Sequence, residues 1–441
     1  MKKLCLISLG CNKNLVDSEV MLGKLKDYTL VDEIENADLI IVNTCGFIAS
    51  AKQESISKIL EVALRKKENG ILLVSGCLSQ RYADELKEEI KEIDIILGVG
   101  SYHKIDSILK NFSKKQKIKD TNNPTFLINS ENRIITGSRI HTYIKISEGC
   151  NQKCSFCAIP QFKGKLKSRS IDSCVSEIEK LVKNGYRDFS FIAQDSSSYM
   201  MDKGEKNALI NLIDNVEQIE GIKSARILYL YPTSMSLNLI DKIAESKIFQ
   251  NYFDIPLQHI SDSMLKIMKR GATKARHMEL LNYIRQMDNS FIRTTLLIGH
   301  PGEGESDFLE LRDFISEFVF DRVNIFEYSR EENTASFNMP NQVNKKIINE
   351  RMDSINEIIL KQQEGIFKKY ESTNIKAIID GPSKKSDLLF SARDIRWDRE
   401  IDGEILINEN LDDKAIEAGY YDVKIDSYKD GYLIGKTIKR I

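Results

Sequence analysis

Three cysteines within eight residues carry the most specific chemistry in this chain. Cys150, Cys154 and Cys157 are separated by gaps of three and two residues, so one loop can wrap three thiolates around one face of an iron–sulfur cubane. An ordinary 4Fe-4S cluster takes four cysteines, and the missing ligand leaves one iron open. Such an iron can chelate the amino and carboxylate groups of S-adenosylmethionine, and an electron from the cluster then cleaves the sulfonium bond to a 5′-deoxyadenosyl radical. The competing readings are a zinc knuckle and three buried thiols. Zinc wants a fourth Cys or His nearby, and the five histidines, at 103, 141, 259, 277 and 300, are few and scattered.

Three more cysteines each follow a strand-like apolar run: Cys11 after 4–9, Cys45 after 39–42 and Cys77 after 71–74. In an open parallel sheet, ligands gather at the carboxyl ends of the strands, so three βα units would bring these thiols together despite gaps of over thirty residues. A glycine adjoins each one: Gly10 before Cys11, Gly46 after Cys45 and Gly76 before Cys77. A second three-thiolate cluster with an open iron is the reading this repetition favours over buried small hydrophobes, the role expected of Cys5 and Cys174.

The elements that must position these thiols are legible as alternating apolar strands and amphipathic helices. Over the first hundred residues strands at 4–9, 39–42, 71–74 and 93–97 alternate with helices at 15–25, 55–64 and 82–90, the pattern of a flavodoxin-like or Rossmann-like parallel sheet. The basic, aperiodic stretch 110–119 and the turn at Asn122-Asn123-Pro124 read as a linker. A second series follows, with strands at 143–146, 189–193, 225–229, 252–255, 293–298 and 322–326 and helices between them. Six βα units make a partial barrel, whose carboxyl end is where such folds place chemistry. A charged helix at 345–369 leads to a tail rich in Ile, Val, Tyr, Asp and Gly, which reads as a small β-barrel. The expected domains are therefore 1–112, a linker 113–135, 136–370 and 371–441.

Gln194, Asp195, Gln258 and Arg293 fall at strand ends or starts in the barrel series and are candidates for cofactor or substrate contacts. Asp195 could instead cap a helix, and Arg293 could be a structural ion-pair partner. Phe156, between the last two loop cysteines, could pack on an adenine ring or in the core. The basic loop 163–169 is expected to be solvated, with attraction of an acidic side chain as the alternative.

Composition narrows the remaining possibilities. The 441 residues are 41% apolar and 29% charged with a net charge of −1, which fits a globular chain of several domains and gives no global electrostatic case for nucleic acid. No apolar stretch approaches the roughly 20 residues a membrane span requires. Eight cysteines with no export signal at the N-terminus point to a reducing compartment, the cytosol.

Ile7-Ser8-Leu9-Gly10-Cys11, Asn14-Leu15-Val16-Asp17-Ser18-Glu19, Ser147-Glu148-Gly149-Cys150, Ile192-Ala193-Gln194-Asp195 and Asp254-Ile255-Pro256-Leu257-Gln258-His259 carry a resemblance. Through them the chain resembles, from end to end, the methylthiotransferases of the radical S-adenosylmethionine superfamily, and within these the branch that modifies a ribosomal protein. The tRNA-modifying branch typically differs at each motif. The resemblance implies two 4Fe-4S clusters on Cys11, Cys45 and Cys77 and on Cys150, Cys154 and Cys157, a C-terminal TRAM domain, and methylthiolation of an aspartate β-carbon in small-subunit ribosomal protein twelve. It also implies an electron donor such as flavodoxin or ferredoxin. Two departures stand out: Asn12 where relatives often have Pro, and His300 where they have Phe. Methylthiolation of a tRNA adenosine is the alternative, and charge bears on it. Residues 372–441 hold twelve Lys and Arg against fourteen Asp and Glu, with seven acids and one Arg between 398 and 413. An RNA-binding face would be basic, whereas an acidic one suits a basic ribosomal protein.

Overall fold

The computed structural model describes residues 1–113, 116–121, 127, 132–411 and 415–441. The N-terminal domain is a wholly parallel six-stranded sheet in the order Tyr28–Leu30, Lys2–Ser8, Leu39–Thr44, Ile71–Gly76, Ile95–Leu97, Ile118–Asp120. Leu39–Thr44 lies at its centre and is buried at every position, as a strand covered by helices on both faces must be. Two strands depart from the sequence expectation. Tyr28–Leu30 and Ile118–Asp120 are three-residue edge strands, too short to show a period, and the second falls inside the expected linker. Among the described residues of the stretch 113–135, Ile118–Asp120 therefore belongs to the sheet. The end of the stretch also docks: Ile134 N–H donates to Glu19 O at 3.1 Å, and Arg133 bridges Glu19 and Glu177. Asn122, Asn123 and Pro124 lie outside the described residues.

Six parallel strands then form the partial barrel in chain order: His141–Lys145, Asp188–Ile192, Ser224–Ile227, Phe249–Gln258, Phe291–Ile298 and Arg322–Glu327. The crossover helices start where the sequence offers a cap. Ser170, Ser236 and Thr273 each accept a backbone N–H from the residue three further on. Helix Lys345–Lys368 packs along the last strands and hands the chain to a closed five-stranded barrel, Asn374–Ser383 to Tyr432–Arg440. No helix of the described residues is long and apolar enough to cross a membrane.

The C-terminal barrel seals the amino end of the central one. Asp188, on the second central strand, receives Arg226 at 2.7 Å and Arg393 at 2.7 Å. Asp398 accepts hydrogen bonds from Tyr143 at 2.9 Å and Ser190 at 2.7 Å, and Trp397 is fully buried beside it. This corrects part of the charge reading. Asp398 and Asp402 are 0% and 1% exposed, the first held by hydroxyls and the second paired with Arg293, so they do not belong to an acidic face.

Two predictions follow from this burial. Asp188→Asn leaves Arg226 with no carboxylate partner among the described residues and Arg393 with Asp380 alone, at 2.9 Å, and should cost about 3–5 kcal/mol, read as a lowered urea midpoint. Lys439→Ala, which removes a surface pair at 3.4 Å, should change stability by less than about 0.5 kcal/mol. Burial also pushes the imidazoles of His141, His277 and His300 down to about 4 and that of His259 to about 3. An unfolded histidine titrates near 6.5, so the unfolded chain binds more protons below that pH. Stability should be full above about pH 6.5 and fall as pH drops toward 4, checked by urea midpoints at pH 7.5 and pH 5.

Candidate functional site

The loop bearing Cys150, Cys154 and Cys157 leaves the first strand of the central barrel at its carboxyl end and is fastened from both sides. Gly149 adopts φ +76°, and a Cβ there would come within 2.3 Å of Lys165 O, so only glycine admits the return strand. Cys150 N–H donates to Gly164 O at 3.1 Å and Ser155 N–H to Met268 O at 3.0 Å. The Ser155 hydroxyl meets His300 Nε2 at 2.8 Å, which gives the His300 departure a partner. Cys150 Sγ accepts the Gln152 N–H at 3.4 Å, while Cys154 Sγ accepts Arg270 Nη1 at 3.2 Å and stands 3.6 Å from the Tyr231 hydroxyl. Burial, then the neighbouring thiols, push Cys157 up to about 12; burial does the same to Cys150. Burial thus favours the neutral thiols of Cys150 and Cys157, and ligation of a cation is what would draw their protons off.

Cys11, Cys45 and Cys77 sit at the carboxyl ends of three adjacent strands of the first sheet. The glycines beside them are steric necessities. A Cβ on Gly10, at φ +84°, would lie 2.6 Å from Cys45 Cβ; one on Gly76, at φ +101°, would lie 2.4 Å from Asn43 Oδ1. Asn14 ties the three strand ends together by donating to Leu9 O at 3.1 Å and Thr44 O at 3.0 Å and accepting from Cys77 Sγ at 3.7 Å. Burial is the main cause that pushes Cys45 up to about 11 and Cys77 to about 12. Among the described residues no group of three His, Cys, Asp or Glu side chains is arranged to hold a single metal ion. Cys5 and Cys174 are buried apart, as expected.

A buried ionic cluster joins the two thiol sets. Asp17, from the helix that Cys11 caps, pairs with Lys145 and at 3.5 Å with Lys163; Glu148 pairs with Lys145 at 2.7 Å and Lys163 at 3.4 Å. Burial opposes these charges, yet Asp17 and Glu148 raise Lys145, and the two lysines hold Glu148 well below the usual carboxylate range. The basic loop is thus solvated only in part: Lys165 is exposed, but Lys163 and Arg169 are 4% and 3% exposed and paired with acids. Asn12, the other departure, accepts from the Tyr229 hydroxyl at 3.3 Å, and Lys13 Nζ lies 3.4 Å above the Tyr229 ring. Glu331 receives Lys52 and Arg81, each at 2.9 Å, and closes the opposite side.

The other sequence candidates divide. Gln194 donates to Glu148 at 2.6 Å and leaves Oε1 buried without a partner, beside the ionic cluster. Asp195 accepts from Gln152 at 2.9 Å and caps a short turn through Ser198 N–H. Gln258 ends its strand at φ +72°. Phe156 packs against Met264, Met268, Leu297 and Tyr328. Arg293 is paired instead with Asp254 at 3.1 Å and Asp402 at 3.5 Å, at the sealed end of the barrel, which is the ion-pair alternative. Sequence reasoning missed Arg270, Tyr231 and Tyr229, which no motif marks because they come from loops after later strands.

Comparison with known proteins agrees with this geometry. Residues 3–98 match the model of uncharacterized protein family UPF0004, and 144–315 that of the radical SAM superfamily. The chain is 54% identical over 438 residues to a Helicobacter pylori protein named ribosomal protein uS12 methylthiotransferase RimO, covering 99% of this chain and 98% of that one. A Campylobacter jejuni protein of the same name is 54% identical over 446 residues, covering 100% and 99%. The chain belongs to the RimO family. Among solved structures, the radical S-adenosylmethionine methyltransferase TsrM from Kitasatospora setae, with cobalamin and a 4Fe-4S cluster bound, superposes with a TM-score of 0.57 at 14% identity, covering 76% of this chain and 77% of that one. The radical enzyme OxsB superposes with a TM-score of 0.51 at 12% identity, covering 82% and 56%. Both show the fold. For a RimO family member the glycines beside the thiols become testable: Gly10→Ala should drive Cys45 out of place and lower reconstituted iron from about eight per chain to about four, measured by colorimetric iron assay.

Proposed function

We infer that this chain is a radical S-adenosylmethionine methylthiotransferase that places a methylthio group on the β-carbon of an aspartate in ribosomal protein uS12. The observation that carries this reading is the pairing of two three-cysteine sets, each one ligand short of a cubane, across one buried ionic cluster in a RimO family chain. A β-C–H beside an ionised carboxylate is too weakly acidic for a side-chain base near neutral pH, so hydrogen-atom abstraction is the route that remains. The donor set fits: Cys150, Cys154 and Cys157 would hold one 4Fe-4S cluster and Cys11, Cys45 and Cys77 the other. When bound, the first supplies the electron that cleaves S-adenosylmethionine and the second an open iron for the sulfur to be transferred.

The chain's own residues hold, orient and shield. Phe156, Met264, Met268, Leu297 and Tyr328 wall the first site with apolar surface, which excludes water from reactive species. Gln194, Asp195 and Gln258 lie at the carboxyl ends of their strands, where they would contact cofactor or substrate. The clusters would be reduced by a flavodoxin or ferredoxin in the cytoplasm. The absence of net positive charge on the C-terminal barrel supports a basic protein substrate over tRNA.

Mass spectrometry of uS12 and of bulk tRNA from a deletion strain tests the reading. The expected result is loss of a methylthio mass from uS12 with tRNA unchanged. The reverse pattern would establish the tRNA alternative.

A further inference from the structure

The three thiols of the barrel loop are not equivalent. Cys150 meets only a backbone N–H at 3.4 Å, whereas Cys154 faces both the Arg270 guanidinium at 3.2 Å and the Tyr231 hydroxyl at 3.6 Å. Arg270 is 4% exposed and forms no ion pair with a carboxylate among the described residues. Its position is fixed on every side: Nη2 donates to Pro256 O, the guanidinium lies 4.2 Å above the Tyr231 ring, and the Tyr231 hydroxyl donates to Arg270 O at 2.7 Å. Tyr231 is held in turn, its N–H donating to Ser197 Oγ at 2.9 Å. A buried cation without a carboxylate needs another electron-rich partner, and the atom Arg270 meets here is the Cys154 sulfur, a ligand position of the barrel loop.

We propose that Arg270, propped by Tyr231, tunes the cluster of the barrel loop: its charge-assisted N–H···S bond stabilises the more negative, reduced state and raises the reduction potential. Hydrogen bonds to cluster sulfurs and local charge are the levers by which proteins set such potentials, and partners one layer beyond the ligands also fix ligand orientation. In a site shielded from water the guanidinium acts through a low effective dielectric, where its interaction with added negative charge is strong. A higher potential brings the cluster within reach of a weaker electron donor. The inference rests on the cluster assignment made above.

Redox titration of the reconstituted full-length protein, followed by electron paramagnetic resonance without S-adenosylmethionine, tests it. The barrel cluster is the signal that changes when S-adenosylmethionine is later added. Arg270→Gln should keep about eight irons per chain and give about tenfold less reduced barrel cluster at a fixed potential, a fall of about 59 mV for one electron. The other cluster should not move. Arg270→Lys should recover part of the shift, and Tyr231→Phe, which removes the hydroxyl that holds the Arg270 carbonyl, should show a smaller fall. Unchanged potential in Arg270→Gln with both clusters present would overturn the proposal, as would weakened S-adenosylmethionine binding at unchanged potential, which would make Arg270 a substrate-carboxylate contact. Should Arg270→Gln lose its barrel iron, an unchanged potential in Tyr231→Phe overturns it. Wild-type protein that takes up no iron would overturn the cluster assignment itself, a failure distinct from these.

Discussion

The arrangement of the two thiol sets depends on four charges buried between them. Asp17, Lys145, Glu148 and Lys163 are each under 10% exposed, and they come from both halves of the site: the helix that starts at Cys11, the barrel strand before the cysteine loop, and the short helix after it. Isolated, any one of them would carry a burial penalty of several kcal/mol. Paired, they make separation of the two domains costly, because opening the interface would strand two ammonium groups and two carboxylates. Apolar packing could supply comparable adhesion but would tolerate sliding. Charges with directed hydrogen bonds specify one register, and chemistry passed from one thiol set to the other needs one register.

The same logic recurs at the far end of the barrel with a different purpose. Asp188, Arg226 and Arg393 tie the C-terminal barrel to the first strands of the central one, while Arg293, Asp254 and Asp402 do so further round. Burial pushes the Asp402 carboxyl up to about 6 even with Arg293 opposite, so this seal is strained near neutrality. The central barrel thus has one end closed by side chains of another domain and one end left to the cysteine loop. Access for a substrate is directed to the end where the thiols are.

Much of this was legible in the sequence, and the reason is local. Cys150, Cys154 and Cys157 share one loop, so spacing alone described their geometry; strand ends and the helices between them were read from the same short windows. Cys11, Cys45 and Cys77 were recoverable because parallel topology carries successive strand ends to one edge. What was lost depended on partners remote in sequence. Lys163 and Arg169 looked like a solvated loop because their acids, Asp17, Glu148 and Glu177, stand outside it. Asp398 and Asp402 looked like surface charge because their partners, Tyr143 and Ser190 for the first and Arg293 for the second, belong to the central barrel. Charge read along a chain cannot distinguish a solvated residue from a paired one, whereas apolar periodicity reads burial directly.

The raised pKa values of the thiols connect folding to loading. Four of the six ligand cysteines are held at about 11 or 12, mainly by burial, so in the absence of iron they are neutral thiols packed as small apolar groups. Metal ligation requires thiolate and releases those protons. The fold therefore does not depend on its clusters for a place to put these residues: the glycines at 10, 46, 76 and 149 and the hydrogen bonds of Asn14 and Ser155 set the loops. Iron then exchanges protons for positive charge at these thiols. Cys11 is exposed at the rim of its set while Cys77 is buried, so the set opens to solvent on the side away from the interface that the buried charges hold shut.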